Sequence, residues 1–346
     1  MVPAVAVADA LRAEGAEVSF VGGQRAEAEL VPAAGYPFHE LPVRGIDRRN
    51  PLKALRAVVL ALRATVRARK LLRKIGADVV VGGGGYVAGP VGLAARTLRL
   101  PLVLTEADSH LGIANRLLAR MAKRVFLAFP LEGRDGGRYA VVGRPIPAAT
   151  LSADAAAARE RFGIGADERC LLVFGGSLGA RSVNEATFEA FGAAAPFAVL
   201  HACGKRDYDA LAQRLAELGA PPHYHLHAYI QPFADALAAA DLTVARSGGS
   251  VFEVAAAGIP SILVPYPHAT ADHQTLNARH IVSGGAAVVV SDSELDGPRL
   301  AREVGSLLAD ENRLRAMGHA ARALARPDAA EQIAREVLAL GEGRGK

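Results

Sequence analysis

The sequence predicts an α/β protein of two Rossmann-like domains, each built on a doubly wound parallel sheet. Short β-rich runs alternate with helical patterns along the chain, which is typical of βαβ units. Two prolines within residues 143–147 interrupt this alternation, and a second series of strands begins at Cys170. A length of 346 residues suffices for two domains with their own cores. We therefore expect domains over 1–146 and 147–326, and a C-terminal helix over 327–346 that packs back on the first domain.

Apolar periodicity places the elements in order. In the first domain it predicts strands at 17–21, 78–81, 102–104, 125–127 and 139–142. In the second domain it predicts strands at 170–174, 197–201, 224–226, 242–244, 261–264 and 286–290. Helices fill most of the intervals, for example at 4–13 and 87–97.

Composition excludes several classes of protein. No apolar run reaches the roughly 18 residues of a membrane span. Cys170 and Cys203 are isolated, which predicts reduced thiols and no zinc site. Tryptophan is absent and aromatic residues make up 5% of the chain, which argues against nucleic acid as a partner. Neither a dinucleotide fingerprint nor a P-loop occurs. We expect no cofactor and no metal.

A basic helix is predicted over 52–75. Between Arg44 and Lys74 lie eleven lysines and arginines against a single acid, Asp47. The helix has an apolar stripe formed by Leu55, Val58, Val59, Leu62, Val66 and Leu72. Such a helix is either a membrane-surface or anion-binding element, or a solvated helix that packs on a sheet through its stripe. Under the first interpretation the membrane-contacting residues are Leu55, Arg56, Val59, Arg63, Arg67 and Lys70.

The most informative segment follows the strand at 242–244. Gly248 and Gly249 allow a tight turn before a helix that begins at Ser250, where free N–H groups attract an anion. Glu253 lies in the first turn of that helix. A later helix has the polar residues His273, Gln274 and Asn277. A phosphate-binding turn beside hydroxyl-reading side chains suits a nucleotide sugar, although Ser250 and Glu253 also match a capping box.

Two further glycine turns join a strand to a helix. One spans 82–85 and is followed by Tyr86, and the other spans 175–180. An acidic triplet at 207–209 resembles a metal-binding motif of some sugar transferases, but it opens a helix, so we interpret Asp207 and Asp209 as capping acids.

These motifs, taken together, resemble the MurG family of glycosyltransferases. The matching segments are Gly83-Gly84-Gly85-Tyr86, residues 106–115, the turn from Gly175 to Asn184, the loop from Arg246 to Glu253, and residues 272–278. The resemblance runs from about residue 2 to 340. It implies a GT-B fold with a cleft between the two domains. The implied activity is inverting transfer of N-acetylglucosamine (GlcNAc) from UDP-GlcNAc to undecaprenyl-diphospho-N-acetylmuramoyl-pentapeptide, a step of peptidoglycan synthesis.

The resemblance also implies roles for individual residues. The donor-binding residues are Asn115, Ser177, Ile230, Gly248, Gly249, Ser250, Glu253, His273 and Gln274. The acceptor diphosphate is expected against Gly83, Gly84, Gly85 and Tyr86. The basic helix resembles the region through which the family contacts the membrane. Its implied partners are anionic inner-leaflet lipids and proteins of cell-wall synthesis, at the cytoplasmic side of the cell membrane.

Three departures from the family pattern matter. The family's first glycine loop, Gly-Gly-Thr-x-Gly-His, and the strand before it align upstream of Met1. The resemblance therefore predicts an additional strand there, and we assign no catalytic base within this chain. The family's donor-contacting arginine corresponds to Pro147. The turn at 246–253 is also about one residue shorter than the commoner family form.

Two other functions remain open at this point. The chain could be another GT-B enzyme, either a glycolipid transferase or a UDP-GlcNAc 2-epimerase, and products formed from UDP-GlcNAc alone distinguish these. It could also be a non-catalytic remnant that binds nucleotide sugar without transferring it.

Overall fold

The structure of the protein is a computed structural model. It describes residues 1–25, 27–43, 51–176, 178–269 and 272–343, with only the backbone for 51–59. The chain divides into two compact units. Unit 1 comprises Met1–Pro147 and Arg326–Lys346, and unit 2 comprises Ala148–Ala325.

The first stretch of unit 1 alternates helices with short parallel strands. Its strands are β1 Phe20–Gly22, β2 Phe38–Glu40, β3 Val80–Gly82, β4 Leu102–Glu106, β5 Arg124–Leu127 and β6 Tyr139–Val141. Its helices are α1 Val2–Ala13, α2 Glu27–Ala33, α3 Pro51–Lys74, α4 Gly85–Thr97 and α5 Ile113–Leu118. The strands form two parallel sheets, one of β1 and β2 and one in the order β3-β4-β5-β6. Periodicity missed β2, whose sequence Phe-His-Glu contains a single apolar residue.

Unit 2 contains six strands in one parallel sheet. Its strands are β7 Cys170–Phe174, β8 Ala198–Ala202, β9 Tyr224–His227, β10 Leu242–Ala245, β11 Ser261–Leu263 and β12 Ala287–Val289. Its helices are α6 Ala149–Ser152, α7 Ala155–Phe162, α8 Arg181–Phe191, α9 Tyr208–Glu217, α10 Phe233–Ala239, α11 Val251–Ala257, α12 His273–Ser283, α13 Gly297–Leu308 and α14 Glu311–Leu324, with a 3-10 turn at Asp292–Glu294. The central strands β7 and β10 are buried along their whole length, as strands covered by helices on both faces must be.

The last helix, α15 Ala329–Glu342, belongs to unit 1. Its residues Ile333 and Val337 pack with Val7 and Leu11 of α1 in one apolar cluster. On the surface, Arg124 donates to Glu336 over 2.6 Å. An exposed pair of this kind contributes little stability, so the apolar cluster is what holds the helix in unit 1.

The basic helix packs differently from the stripe that periodicity predicted. Over the part whose side chains are described, 60–74, its buried residues are Ala64, Ala68 and Leu72, which lie in one cluster with apolar residues of α4. The packing interpretation of the stripe requires Leu62 and Val66 to face inward, but 61% and 57% of their surface is exposed. The packing interpretation of the stripe is therefore wrong for these two residues. Small alanines allow a closer helix–helix approach than the larger side chains would.

Candidate functional site

The strand order of unit 2 indicates a candidate ligand site. The sheet runs β12-β11-β10-β7-β8-β9, so the chain order reverses between β7 and β10, which pair directly. This is the order of dinucleotide-binding sheets, in which ligands occupy the crevice outside the carboxyl ends of the strands at the reversal. Two glycine turns follow these strands. We call residues 175–180 the β7 turn and residues 246–250 the β10 turn.

The β7 turn requires glycine at two places. A Cβ on Gly175 would lie 2.3 Å from the backbone nitrogen of Ala180. Gly179 has a φ of +75°, and a Cβ there would lie 2.1 Å from the carbonyl oxygen of Cys203. Ala180 then begins the eleven-residue helix α8 without a side-chain cap, which leaves the positive end of the helix for an anion. Ser177 lies outside the described residues.

The β10 turn is open where the β7 turn is crowded. A Cβ on Gly248 would meet no heavy atom within 4 Å. Ser250 precedes α11, but its side chain makes no capping hydrogen bond. The capping-box interpretation is therefore wrong for Ser250. Backbone bonds close the turn instead, from Val251 N to Gly248 O and from Phe252 N to Gly249 O, both 3.3 Å. Glu253 lies in the first turn of α11, as expected.

Arg246 holds the base of the β10 turn. Its guanidinium is nearly buried and donates to the carbonyl oxygens of Val264 and Pro265 at 3.2 and 3.3 Å. It also contacts Asp292 at 2.6 Å and Ser182 at 2.8 Å. One side chain thus connects the ends of β10 and β11 with the first turn of α8. The sequence motif contained Arg246 but not Asp292, which lies 46 residues away.

Helix α12 places its polar residues beside the β10 turn. Asn277 is buried and donates to the carbonyl oxygen of Ser247 over 3.0 Å. Gln274 Oε1 accepts a hydrogen bond from the backbone N–H of Tyr266 over 2.9 Å. The amide N–H groups of Gln274 take no part in this contact. His273 is the first residue of the helix.

Two buried polar atoms near this turn have no hydrogen-bond partner among the described residues: Ser247 Oγ and Asn277 Oδ1. Buried polar groups are almost always paired in proteins, so such atoms indicate a place for water or a ligand. Sequence analysis singled out Asn277 as part of a polar cluster but did not single out Ser247. The sequence signal for Ser247 was its position two residues after the buried strand β10.

Ile230, which is also expected in the donor site, lies at the same edge of the sheet. Ile230 follows β9, with its side chain buried in the core and its backbone in the loop.

The capping interpretation of the acidic triplet needs correction at Asp207. This residue precedes α9 but makes no side-chain capping bond, and it accepts instead from the amide of Asn184 at 2.9 Å.

In unit 1, polar residues lie at the ends of β3 and β4. Asn115, on α5, donates to Glu106 Oε2 at 2.9 Å and to Thr105 O at 3.0 Å. Glu106 also accepts from the backbone N–H of Gly112 at 2.8 Å. The expected acceptor turn is adjacent, since a Cβ on Gly84 would lie 3.4 Å from the Asn115 amide nitrogen. Gly83 and Gly85 are exposed and Tyr86 is half-buried, with Arg25 5.1 Å from its ring centre.

Residues that sequence analysis missed lie in the loop between β4 and α5. Ser109 Oγ and His110 Nδ1 are buried without a hydrogen-bond partner in the described part of the chain, as is Asn115 Oδ1. The guanidinium of Arg144 donates to Ala107 O of this loop at 3.0 Å. The loop thus combines unsatisfied polar atoms with a fixed cation. The only sequence signal was the run of polar residues directly after a buried strand.

Burial makes both cysteines unreactive. It raises the pKa of Cys170 to about 12 and that of Cys203 to about 11. Both are free thiols. Because the thiolate is the nucleophilic form, neither residue is suited to nucleophilic catalysis near neutral pH.

Comparison with known proteins agrees with this architecture. Residues 1–127 match the glycosyltransferase family 28 N-terminal domain, and residues 170–333 match the glycosyltransferase family 28 C-terminal domain. Together with the sheet order, these matches define a two-domain glycosyltransferase of the GT-B type.

Individual relatives narrow the family further. A UDP-N-acetylglucosamine–N-acetylmuramyl-(pentapeptide) pyrophosphoryl-undecaprenol N-acetylglucosamine transferase of Aeromonas hydrophila is 41% identical over 345 residues, covering 99% of this chain and 94% of that protein. The crystal structure of Acinetobacter baumannii MurG superposes with a TM-score of 0.75 at 31% identity, covering 97% and 95% of the two chains. The chain belongs to the MurG family within glycosyltransferase family 28. A UDP-GlcNAc 2-epimerase of Neisseria meningitidis, 13% identical with a TM-score of 0.69 and coverages of 98% and 96%, shares the fold alone.

Proposed function

We infer that this protein transfers N-acetylglucosamine from UDP-GlcNAc to undecaprenyl-diphospho-N-acetylmuramoyl-pentapeptide, the step from lipid I to lipid II in peptidoglycan synthesis. Family membership over nearly the whole chain supports this function. The structural observation that carries it is the strand reversal of unit 2, where two glycine turns and a polar helix meet at one edge of the sheet.

Unit 2 provides the donor site in this proposal. The diphosphate lies at the reversal, against the start of α8 on one side and Gly248, Gly249 and Ser250 on the other. Ser177, which the resemblance also implies as a donor contact, lies outside the described residues. The open space beside Gly248 admits a phosphate that a side chain would block. An anion there is stabilised by the unpaired N–H groups and positive end of α8.

Other side chains of the same edge recognise the nucleoside and the sugar. Glu253 accepts from the ribose hydroxyls, and the backbone of Ile230 contacts the uracil. The amide N–H groups of Gln274, together with His273, read the hydroxyls of the sugar. Ser247 Oγ and Asn277 Oδ1 are buried close to this group and order the water or ligand atoms around it.

The chemistry is one displacement with inversion at the anomeric carbon. The acceptor hydroxyl oxygen forms a bond to that carbon while the bond to the β-phosphate oxygen of UDP breaks. A general base takes the hydroxyl proton, and UDP departs as an anion. The positive end of α8 stabilises the charge that develops on the departing diphosphate.

Unit 1 provides the acceptor site, at Gly83, Gly84, Gly85 and Tyr86. Two of these glycines are exposed, and a Cβ on Gly85 would meet no heavy atom within 4 Å. A diphosphate can therefore approach the backbone at the start of α4. Asn115 borders the same turn. Its side chain is fully buried, with its amide N–H groups on Glu106 and Thr105 and with Oδ1 unpaired among the described residues, so the role that we propose for it at the donor sugar is exerted through this loop.

We also propose peripheral attachment to the cytoplasmic face of the cell membrane. Among the described residues no helix is long and apolar enough to cross a bilayer. The exposed surface of α3, however, presents Leu62 and Val66 beside Arg63, Arg67 and Lys70. Apolar side chains flanked by cations are suited to an anionic leaflet. Leu55, Arg56 and Val59, expected to contribute, have side chains outside the described residues.

A transfer assay tests the proposed function. The purified protein is incubated with radiolabelled UDP-GlcNAc and a lipid-diphosphate N-acetylmuramoyl-pentapeptide, and the products are separated by chromatography. We expect label in the lipid fraction and release of one UDP per sugar. UDP-GlcNAc supplied alone should remain unchanged.

Other outcomes would reject the proposal in distinct ways. Conversion of UDP-GlcNAc alone to its 2-epimer would identify an epimerase. Transfer to a different lipid but not to this acceptor would identify another glycolipid transferase. Tight UDP binding with no transfer to any lipid would indicate a nucleotide-binding remnant.

A further inference from the structure

A buried polar chain joins β9, β8 and helix α8 beside the β7 turn. The Tyr224 hydroxyl lies 2.7 Å from His201 Nδ1, and His201 Nε2 lies 3.1 Å from Asn184 Oδ1. Asn184 Nδ2 is 2.9 Å from both Cys203 O and Asp207 Oδ2. His201 is fully buried, and Asn184 and Tyr224 are 1% and 8% exposed.

The two acceptors at the end of the chain, Cys203 O and Asp207 Oδ2, determine the direction of every hydrogen bond in it. A carbonyl oxygen and a carboxylate only accept, so the Asn184 amide must direct its N–H groups towards Cys203 and Asp207. Its Oδ1 therefore accepts from His201 Nε2–H. The other ring nitrogen of His201 carries no proton and accepts from the Tyr224 hydroxyl. Burial keeps the ring in this neutral form, since it lowers the pKa of His201 to about 3.

The chain ends where Gly179 of the β7 turn contacts Cys203 and Gly204, which follow β8. The carbonyl of Cys203 lies against Gly179, where a Cβ would meet it at 2.1 Å. Gly204 is also close to Gly179, since a Cβ on Gly204 would be 2.5 Å from Gly179 N. The β7 turn therefore rests on residues 203–204, and Asn184 holds those residues from behind. A displacement of Cys203 would displace Gly179 with it.

Stability alone does not require polar groups at these positions. Replacing both members of a buried hydrogen-bonded pair by apolar groups of similar shape is often nearly neutral. What a polar chain adds is a defined position for each member, because each bond is directional.

We propose that Tyr224, His201 and Asn184 are positioning residues that hold the β7 turn in the geometry needed to bind the donor diphosphate. The proposal rests on the function inferred above, in that it assumes the diphosphate binds at this turn. None of the three residues touches the substrate in this scheme. They act through Cys203 and Gly179, so their removal weakens donor binding rather than the chemical step.

Tyr224→Phe tests this proposal, with Tyr36→Phe as the matched control. Tyr36 is also buried, and it donates a hydrogen bond of 2.6 Å to Asp9 in unit 1, so its replacement removes the same oxygen away from the donor turns. In calorimetry we expect Tyr224→Phe to raise the Kd for UDP about fivefold, the effect of losing one buried hydrogen bond worth about 1 kcal/mol. The KM for UDP-GlcNAc should rise by the same factor, with kcat within about twofold. Tyr36→Phe should leave both constants unchanged.

A double-mutant cycle distinguishes a chain from independent contacts. Asn184→Leu cuts the connection to Cys203, so adding Tyr224→Phe to it should change UDP affinity by less than about twofold. Effects that multiply would overturn the proposal. Unaltered UDP affinity in folded Tyr224→Phe would also overturn it, even if both tyrosine variants lose thermal stability.

Hydrogen exchange provides a second reading that does not depend on affinity. In Tyr224→Phe, the backbone N–H groups of residues 178–180 and 203–205 should exchange faster, while those of β10 and β11 keep the wild-type rate. Unchanged exchange rates at residues 178–180 and 203–205 would contradict the proposal. Failure of the proposed function looks different, since the wild-type protein would then form no labelled lipid in the transfer assay, whatever Tyr224→Phe does to UDP affinity.

Discussion

The same substitution at two glycines separates an effect on ligand binding from an effect on folding. Gly248→Ala places a methyl group where no heavy atom lies within 4 Å, at a residue outside the left-handed region of φ. We expect the free energy of unfolding to stay unchanged or to rise by up to about 1 kcal/mol, since alanine restricts the unfolded chain. The same methyl group should occupy space needed by the donor diphosphate and raise the Kd for UDP about tenfold, equivalent to about 1.4 kcal/mol.

Gly179→Ala should behave in the opposite way. A left-handed φ costs a non-glycine residue about 1–2 kcal/mol. The new Cβ would in addition lie 2.1 Å from the backbone oxygen of Cys203, which cannot rotate away as a side chain does. We expect the free energy of unfolding to fall by at least about 2 kcal/mol. For a unit of this size that lowers Tm by about 4–8 °C.

Thermal unfolding and calorimetry with UDP measure the two effects separately. The reasoning predicts a stable Gly248→Ala protein with poor UDP binding and an unstable Gly179→Ala protein. If Gly248→Ala binds UDP as well as the wild-type protein, the β10 turn does not hold the diphosphate. If Gly179→Ala unfolds at the wild-type temperature, the close contact between Gly179 and the carbonyl oxygen of Cys203 does not constrain the fold.

Three further predictions concern other parts of the molecule. Glu253→Ala should weaken UDP-GlcNAc binding by more than the roughly 1 kcal/mol typical of a lost helix cap, and calorimetry showing unchanged affinity would remove its role at the ribose. The protein should sediment with vesicles that contain anionic lipid, each cation contributing about 1 kcal/mol to binding, which salt screens. Charge reversal at Arg63, Arg67 and Lys70 should abolish the binding. Binding that changes neither with added salt nor with charge reversal would exclude the basic face of α3 as the attachment site. His201 has its pKa lowered from an ordinary value near 6.5 to about 3, so the unfolded state binds the extra proton between these values. Stability present above about pH 6.5 should therefore decline as the pH falls towards 3, and His201→Gln should show a shallower decline in chemical denaturation; identical slopes would mean that His201 is not buried neutral.

Local pattern alone located most elements of the fold. The strands β7 and β10 are continuous apolar runs, because both faces of a central strand are covered, and each was predicted within one residue of its observed end. The glycine turns after them were also readable, since only glycine tolerates the crowding found at Gly175 and Gly179. These features depend on residues that are close together in sequence.

Contacts between distant residues were not readable. Asp207 looked like a helix cap, yet its carboxylate accepts from Asn184, 23 residues earlier. The exposure of Leu62 and Val66 likewise contradicted the apolar period of α3. A helix buries whichever face its neighbour fits, and α4 fits the alanines.

The sequence by itself thus determined the alternation of strands and helices, the positions of the glycine turns and the resemblance that names the chemistry. Only the tertiary structure decided that β7 pairs with β10, which places the two turns on either side of one crevice. It also decided which polar side chains are joined behind them, as in the row from Tyr224 to Asn184. The physical reason is that backbone conformation follows from neighbouring residues, whereas strand order and buried hydrogen bonds depend on how distant segments pack around a common core.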